Sequence, residues 1–325
     1  MNTLSKFPGR GGLRLVGPLA LACSVLAGCS GDGSSSTSAS TASGSGGDSA
    51  TSASTTGAGG NAASTTSGSG TTGAATTGSS SGSTSAGTGG MPMNCSALPL
   101  CDDFEAATAG GPPSPSTWAI VSPNCGGTGT IAVDDTVAHS GTRSVKVTGK
   151  GGYCNHVFFV NTTAPAAVGK DIYGRYYLRL GGALGDAHNT LMTMKDTADN
   201  GKDLRLGGQK SVMIWNRESD DATLPELSPT GAGLSVSPTP QAWHCVEFLV
   251  KGSDGQMQTW LDSVEVAGLH EDGVPTPDID GQWLNKAGWK PSLADLKLGW
   301  ESYGNDDMTL WFDDVALGPA RIGCN

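Results

Sequence analysis

The chain changes character near residue 90, and that break decides which part of it is able to fold. From Ser30 to Gly90 it consists of Ser, Thr, Gly, Ala and one Asn, with Asp32 and Asp48 as the only charges. No aromatic and no large aliphatic side chain occurs there. Nothing in the stretch repays the entropy of ordering a backbone, roughly 1–2 kcal/mol per residue. A Gly/Ser-rich coil of this length reaches roughly 45 Å end to end, so the segment reads as a tether. Its repetition is compositional and carries no fixed period, which excludes a solenoid. Any core must therefore come from the last 230 or so residues, which hold all 8 Trp and every Phe except Phe7. That is one domain's worth of chain.

At the other end, Lys6, Arg10 and Arg14 precede an apolar run from Leu15 to Ala27. The run is too short to span a bilayer and has the flanks of an export signal. Leu26-Ala27-Gly28-Cys29 resembles the lipobox of bacterial lipoproteins, whose cysteine is diacylated and becomes the mature N-terminus. An ordinary secretory signal cut nearby would leave Cys29 as a spare thiol. The resemblance implies a lipoprotein signal peptide over 1–28, a lipidated Cys29 with its disordered linker over 29–92, and the folded domain over 93–325. It also implies an exported protein anchored by lipid in the cell envelope, at the outer membrane or cell surface, with no other contact to the membrane.

The formal net charge of −11 becomes more negative once the three basic signal residues are removed. Such a domain lacks the basic face that nucleic acid requires. Acidity also weighs against a polyanionic ligand unless positive charge is gathered in a groove. Of the 8 cysteines, Cys23 leaves with the signal and Cys29 carries the lipid. Cys95, Cys101, Cys125, Cys154, Cys245 and Cys324 remain, an even number that reads as disulfides in an exported domain. None belongs to a CxxC pair, which argues against zinc. Cys125 and Cys154 flank a glycine-rich segment and a strand pair and form the expected bridge; the other pairings stay open. A monomer is expected.

Along the domain, polar and apolar residues alternate in steps of two, punctuated by Gly, Pro, Asn and Asp. Candidate strands are Thr128–Val133, Ser144–Val147, His156–Val160, Asp171–Leu180, Thr190–Lys195, Leu204–Gln209 and Ser211–Trp215. Trp243–Lys251, Gln256–Leu261, Asp295–Trp300 and Met308–Leu317 follow. No convincing helical period interrupts them. The pattern predicts an all-β, antiparallel β-sandwich of jelly-roll (concanavalin-like) type.

The terminal strands of a jelly roll often lie side by side. That would bring Asp102-Asp103-Phe104-Glu105 near Trp311-Phe312-Asp313-Asp314-Val315 and the turn His139-Ser140-Gly141-Thr142-Arg143. Glu105, Asp313 and the backbone carbonyls of Ser140 and Arg143 would then offer hard oxygen ligands to Ca²⁺. This trio resembles the structural calcium site of carbohydrate-binding jelly rolls; otherwise the acids are solvated strand ends.

Further motifs recur in order: Ser122-Pro123-Asn124-Cys125-Gly126-Gly127-Thr128, Gly151-Gly152-Tyr153-Cys154-Asn155-His156, Gly299-Trp300-Glu301-Ser302-Tyr303 and Arg321-Ile322-Gly323-Cys324. With the two above, they resemble the cellulose-induced secreted protein family of biomass-degrading fungi and bacteria, whose core is similar to glucuronan and alginate lyases. The resemblance implies a polysaccharide partner and a polyuronate lyase acting by β-elimination. Such an enzyme neutralises the substrate carboxylate, removes the C5 proton and protonates the leaving oxygen at C4. His188, Arg205, Gln209 and Asp221 match the polar cluster proposed as catalytic in that family. Arg205 and Gln209, four apart on a strand, share a face. Tyr177 is the expected proton-sharing tyrosine; Arg175 and Arg179 share its face and would gather positive charge, and Trp215 would contact substrate.

Each residue has a plainer reading. Arg205 would pair with Asp203 or Glu218, His188 would sit in a turn, and Tyr177 would be a cross-strand aromatic. His156 reads as structural, and His244 shares the parity of Val246, Phe248 and Val250 and so reads as core-facing. Two other functions compete. A retaining glycosidase would use Glu247 and Glu301 about 5–5.5 Å apart. A non-catalytic glycan-binding module would stack sugars on Trp215, Trp260, Trp283 and Trp289.

Overall fold

The computed structural model describes residues 95–122 and 126–324. The signal segment, Cys29, the tether and Cys125 lie outside the described residues. Fifteen strands follow one another among those described. The first eight are β1 (Leu100–Asp102), β2 (Ala119–Val121), β3 (Thr130–Asp134), β4 (Ser144–Gly149), β5 (Asn155–Asn161), β6 (Asp171–Leu180), β7 (Asn189–Asp196) and β8 (Lys202–Gln209). The rest are β9 (Val212–Arg217), β10 (Ala222–Leu224), β11 (Trp243–Lys251), β12 (Met257–Leu261), β13 (Val264–Glu265), β14 (Leu296–Ser302) and β15 (Met308–Gly318). The α-helices have 5 residues or fewer. None of the described helices is long and apolar enough to cross a membrane.

The strands form an antiparallel sandwich of jelly-roll type, as their alternation predicts. One sheet runs β13-β12-β11-β6-β15-β4-β3, with β1 paired to β15; the other runs β10-β9-β8-β7-β14-β5-β2. First and last strands are neighbours, with Leu100 opposite Leu317 and Asp102 opposite Val315. Between the sheets pack Val147, Leu178, Leu206, Val246, Leu298 and Leu310, all fully buried. Phe104, Trp118, Phe159 and Phe312 meet mostly edge to face, at centroid distances of 4.9–6.2 Å. Each apolar side chain so buried contributes about 1.5–3 kcal/mol.

The inward face of one strand position determines the outward face of the next, and this overturns several expectations. Trp215 points into the core with 0% exposure, its indole N–H donating to Thr259 Oγ1 at 2.8 Å. It offers no surface to a sugar. Trp260 and Trp283 are likewise buried. On β6, Tyr176 and Leu178 belong to the core, so Arg175, Tyr177 and Arg179 face outward from the eight-stranded sheet. There Tyr177 stacks on His139 at 3.4 Å and under the Arg175 guanidinium. Arg175 donates to the Asp314 carbonyl, and Arg179 lies over Trp311. Glu247, on the same outer face, is held by Arg321 at 2.7 Å. Glu301 faces outward from the other sheet. Glu247 and Glu301 thus stand on opposite sides of the sandwich and form no glycosidase pair. His244 lies outside the core, at the start of β11, bonded to Asp262 and the Thr239 carbonyl.

Cys95 bridges Cys101, and Cys245 bridges Cys324. Cys154 is also disulfide-bonded; the expected partner, Cys125, lies outside the described residues.

Candidate functional site

The outer face of the seven-stranded sheet is polar although largely buried, and strand register explains how its residues meet. On β14 Leu298 and Trp300 face the core, so Lys297 and Glu301 face outward. Glu301 stands opposite His156 on β5 and Thr190 on β7. Arg205 on β8 lies opposite Thr193 on β7 and Asn216 on β9. His156, Thr190, Arg205, Asn216 and Glu301 are each less than a tenth exposed. Together they form a floor of hydrogen-bonding side chains.

Glu301 and Tyr303 are the hub of this floor. The Glu301 carboxylate accepts from Thr190 Oγ1 at 2.9 Å and from the Tyr303 hydroxyl at 3.1 Å, and it lies 3.3 Å from His156 Nδ1. Arg205 Nε is 3.5 Å away, and Arg205 Nη2 is 3.4 Å from Glu218. Both Arg205 contacts exceed the roughly 2.7–2.9 Å of a charge-assisted hydrogen bond, and Arg205 Nε makes none. The guanidinium also lies 5.6 Å from the Tyr303 ring centroid. His188 stacks on that ring at 5.2 Å and 7°, and its carbonyl accepts from the Tyr303 backbone N–H. Asp221, at φ 56°, accepts from Asn216 Nδ2 at 2.9 Å. Its charge reaches His188. Gln209 lies two positions beyond Gly207 on the outward parity of Arg205.

These contacts shape the electrostatics. Burial works against ionising Glu301, but the His156 and Thr190 hydrogen bonds and the Arg205 charge outweigh it and hold the carboxyl at about 2. Burial and the negative charge of Glu301 push the Tyr303 phenol up to about 12. Burial, then the Arg205 charge, lowers the His188 pKa below its ordinary 6.5, so the imidazole is neutral at pH 7. The floor thus combines a persistent carboxylate, a persistent phenol, a neutral imidazole and a guanidinium with unused hydrogen-bonding capacity.

Beside the hub, Tyr153 is 85% exposed and meets the Tyr303 ring edge-on at 5.3 Å. Its loop is pinned by Gly152 N–H to the Gly304 carbonyl at 2.6 Å and Gly151 N–H to Asp307 at 2.8 Å.

The structure brings His188, Arg205, Gln209 and Asp221 to one face, and leaves Tyr177, Arg175, Arg179 and Trp215 away from it. Sequence reasoning missed Tyr303, and it weighed Glu301 only as half of a glycosidase pair. The signal was present: Glu301 and Tyr303 are two apart, opposite in parity to Trp300. His156, read as structural, is a member of the floor.

The turn at 139–143 is gripped from both ends through its N–H groups. Glu105 accepts from the Thr142 and Arg143 amides at 2.7 Å each. Asp313 accepts from those of His139 and Ser140 at 2.8 and 3.3 Å. Gly141, at φ +58°, leaves no room for a Cβ, which would lie 2.5 Å from Glu105 Oε1. Burial, then the Asp314 charge, pushes the Asp313 carboxyl up to about 8. Two groups of potential metal ligands, Cys154–His156–Glu301 and Cys245–Glu247–Cys324, occur among the described residues. In both, the cysteines are engaged in disulfides.

Comparison with known proteins places this architecture. The family model described as Cip1-like, core domain, matches residues 103–320. The solved structure of the cellulose induced protein Cip1 is 41% identical, with a TM-score of 0.63 over 70% of this chain and 100% of its own. An endo-β-1,4-glucuronan lyase from the fungus Trichoderma reesei is 18% identical over 65% of this chain and 94% of its own, with a TM-score of 0.39. The CBM22-1 xylan-binding domain of Paenibacillus barcinonensis Xyn10C is 13% identical over 70% and 96%, with a TM-score of 0.34. No curated protein matches the chain.

Proposed function

Because the chain belongs to the Cip1-like core-domain family, we propose that it is an exported, polysaccharide-active protein whose polar floor cleaves a uronate-bearing chain by β-elimination. The observation that carries this reading is the stack of neutral His188 on the Tyr303 phenol, beside an Arg205 whose guanidinium meets Glu301 and Glu218 only at 3.5 and 3.4 Å. Arg205, assisted by Gln209, bonds the substrate carboxylate and favours the enolate-like charge that develops when C5 is deprotonated. His188 takes the C5 proton. The C4–O bond breaks as the C4–C5 double bond forms, and Tyr303 donates its proton to the leaving oxygen. Glu301 keeps Tyr303 and Arg205 in place, and Asp221 orients Asn216. Tyr153 offers an exposed ring face on which a pyranose stacks through its C–H groups.

The test is a new absorbance at about 235 nm, that of the unsaturated product of elimination catalysed by His188 and Tyr303, when the protein meets glucuronan or alginate. Reducing ends without that absorbance would mean hydrolysis. A second reading, glycan binding without cleavage, is favoured by one observation: two carboxylates, Glu218 and Glu301, already flank Arg205. Binding without either product would establish it.

Two companions complete the proposal. Glu105 and Asp313, with backbone oxygens of Ser140 and Arg143, would hold a Ca²⁺ that pins the terminal strands and takes no part in the chemistry. Lipidated Cys29 would tether the monomeric domain to the envelope membrane, the linker letting it sweep the surrounding polysaccharide.

A further inference from the structure

The end of the polar floor opens into a cavity of about 290 Å³ enclosed by the segments 182–189 and 300–308. His188 lines this cavity while stacking on Tyr303, so it belongs to both the floor and the cavity. Trp300 and Met308 supply apolar wall, and Asn189, Asp306 and Asp307 supply polar wall. Among the described residues, no Lys or Arg lines it. Asn189 is 4% exposed, and its Oδ1 has no hydrogen-bond partner among the described residues. That oxygen is itself closed off from solvent, so Asn189 contributes to the wall without offering this acceptor to an occupant. Asp307 is engaged by Lys150 at 2.6 Å and by Gly151 N–H, whereas Asp306 forms no ion pair among the described residues.

The lining therefore offers the negative charge of Asp306, with no cation to balance it, to whatever enters. A sugar hydroxyl donates a hydrogen bond; a carboxylate only accepts, and it would stand against Asp306. We propose that this cavity is a subsite for an uncharged, hydroxyl-bearing sugar, adjoining the unit whose carboxylate faces Arg205. The substrate is then a mixed polysaccharide in which uronate residues are followed by neutral ones, and a pure polyuronate fits less well. This rests on the proposed placement of a uronate at Arg205 and adds to it the identity of the neighbouring unit.

The test measures binding in a Tyr303→Phe background, which keeps the ring and removes the proton donor, so the probes stay intact. One probe is a β-1,4-linked tetraglucuronate; the other is a tetrasaccharide alternating glucuronate with glucose. Titration calorimetry should find the alternating probe bound about tenfold tighter, the scale of one unfavourable charge contact near a protein surface. Adding Asp306→Asn should tighten the tetraglucuronate and narrow the ratio to about threefold or less. Equal affinities, a ratio that Asp306→Asn leaves unchanged, or no binding of either probe would each overturn the subsite. The lyase reading is scored separately, by the absorbance of wild-type digests of an alternating polymer. A binding preference without cleavage would leave the subsite standing and remove the lyase.

Discussion

Replacing Glu301 with glutamine keeps the shape of the side chain but removes its charge and one of its two acceptor oxygens, of which Oε2 accepts from Thr190 and Oε1 from Tyr303. That charge is buried beside Arg205 and held by His156 and Thr190, which is why the carboxyl falls from 4.5 to about 2. At about 1.36 kcal/mol per pH unit, a lowering of that size corresponds to about 3 kcal/mol of folding stability. The sign follows from the direction. A group with a depressed folded pKa contributes fully above its unfolded value and loses that contribution as pH falls toward the folded one. Removing one partner of a buried pair costs a similar amount, roughly 3–5 kcal/mol, because the other charge is left behind. At pH 7 the Glu301→Gln variant should therefore melt lower by roughly 6–12 °C, given roughly 2–4 °C per kcal/mol in a domain of this size. Urea unfolding of both proteins across a pH series gives the same comparison as a free energy. The gap between them should be constant from pH 7 to about 5 and close progressively between about 4.5 and 2. Equal stability at pH 7, or a gap that persists unchanged at pH 3, would refute the reasoning.

Three other outcomes are expected. Arg205→Ala should lower turnover of a uronate polymer by about 10²-fold or more, assayed as initial absorbance rates, and Gln209→Ala should lower it in the same direction by less. If Ca²⁺ binds at Glu105 and Asp313, a chelator should lower the melting temperature of the full chain, and Glu105→Gln should abolish that sensitivity; identical melts would retire the ion. Cys29→Ala should move the protein from the membrane to the soluble fraction, since the lipid supplies the membrane affinity; retention would remove the anchor.

Much of the architecture was legible locally. Asp171–Leu180 and Trp243–Lys251 form strands over the same residues that their alternation predicts. Alternation is a property of one strand and its two faces, so it needs no knowledge of partners. The same rule explains why Arg205 and Gln209 share a face, and it would have placed Glu301 with Tyr303. The short strands Ala119–Val121, Ala222–Leu224 and Val264–Glu265 were not foreseen. Three residues or fewer carry too little pattern, and these strands exist because a neighbour's edge is available to pair with.

What remained closed to sequence was the direction each face takes. Tyr177 lies between Tyr176 and Leu178 and Tyr303 between Ser302 and Gly304, and nothing local says which of them meets His188. The answer depends on which sheet each strand joins. Glu301 meets Thr190 from 111 positions away and His156 from 145. Such pairings are settled by the burial of whole sheets against each other, where the loss of one hydrophobic face outweighs any preference of a single polar side chain. The sequence by itself therefore determined the sandwich and the parity of the polar residues. Only the tertiary structure decided that Glu301, Tyr303, Arg205 and His188 meet on one sheet while Tyr177 and Arg175 lie on the other, because that choice is made by the core between them.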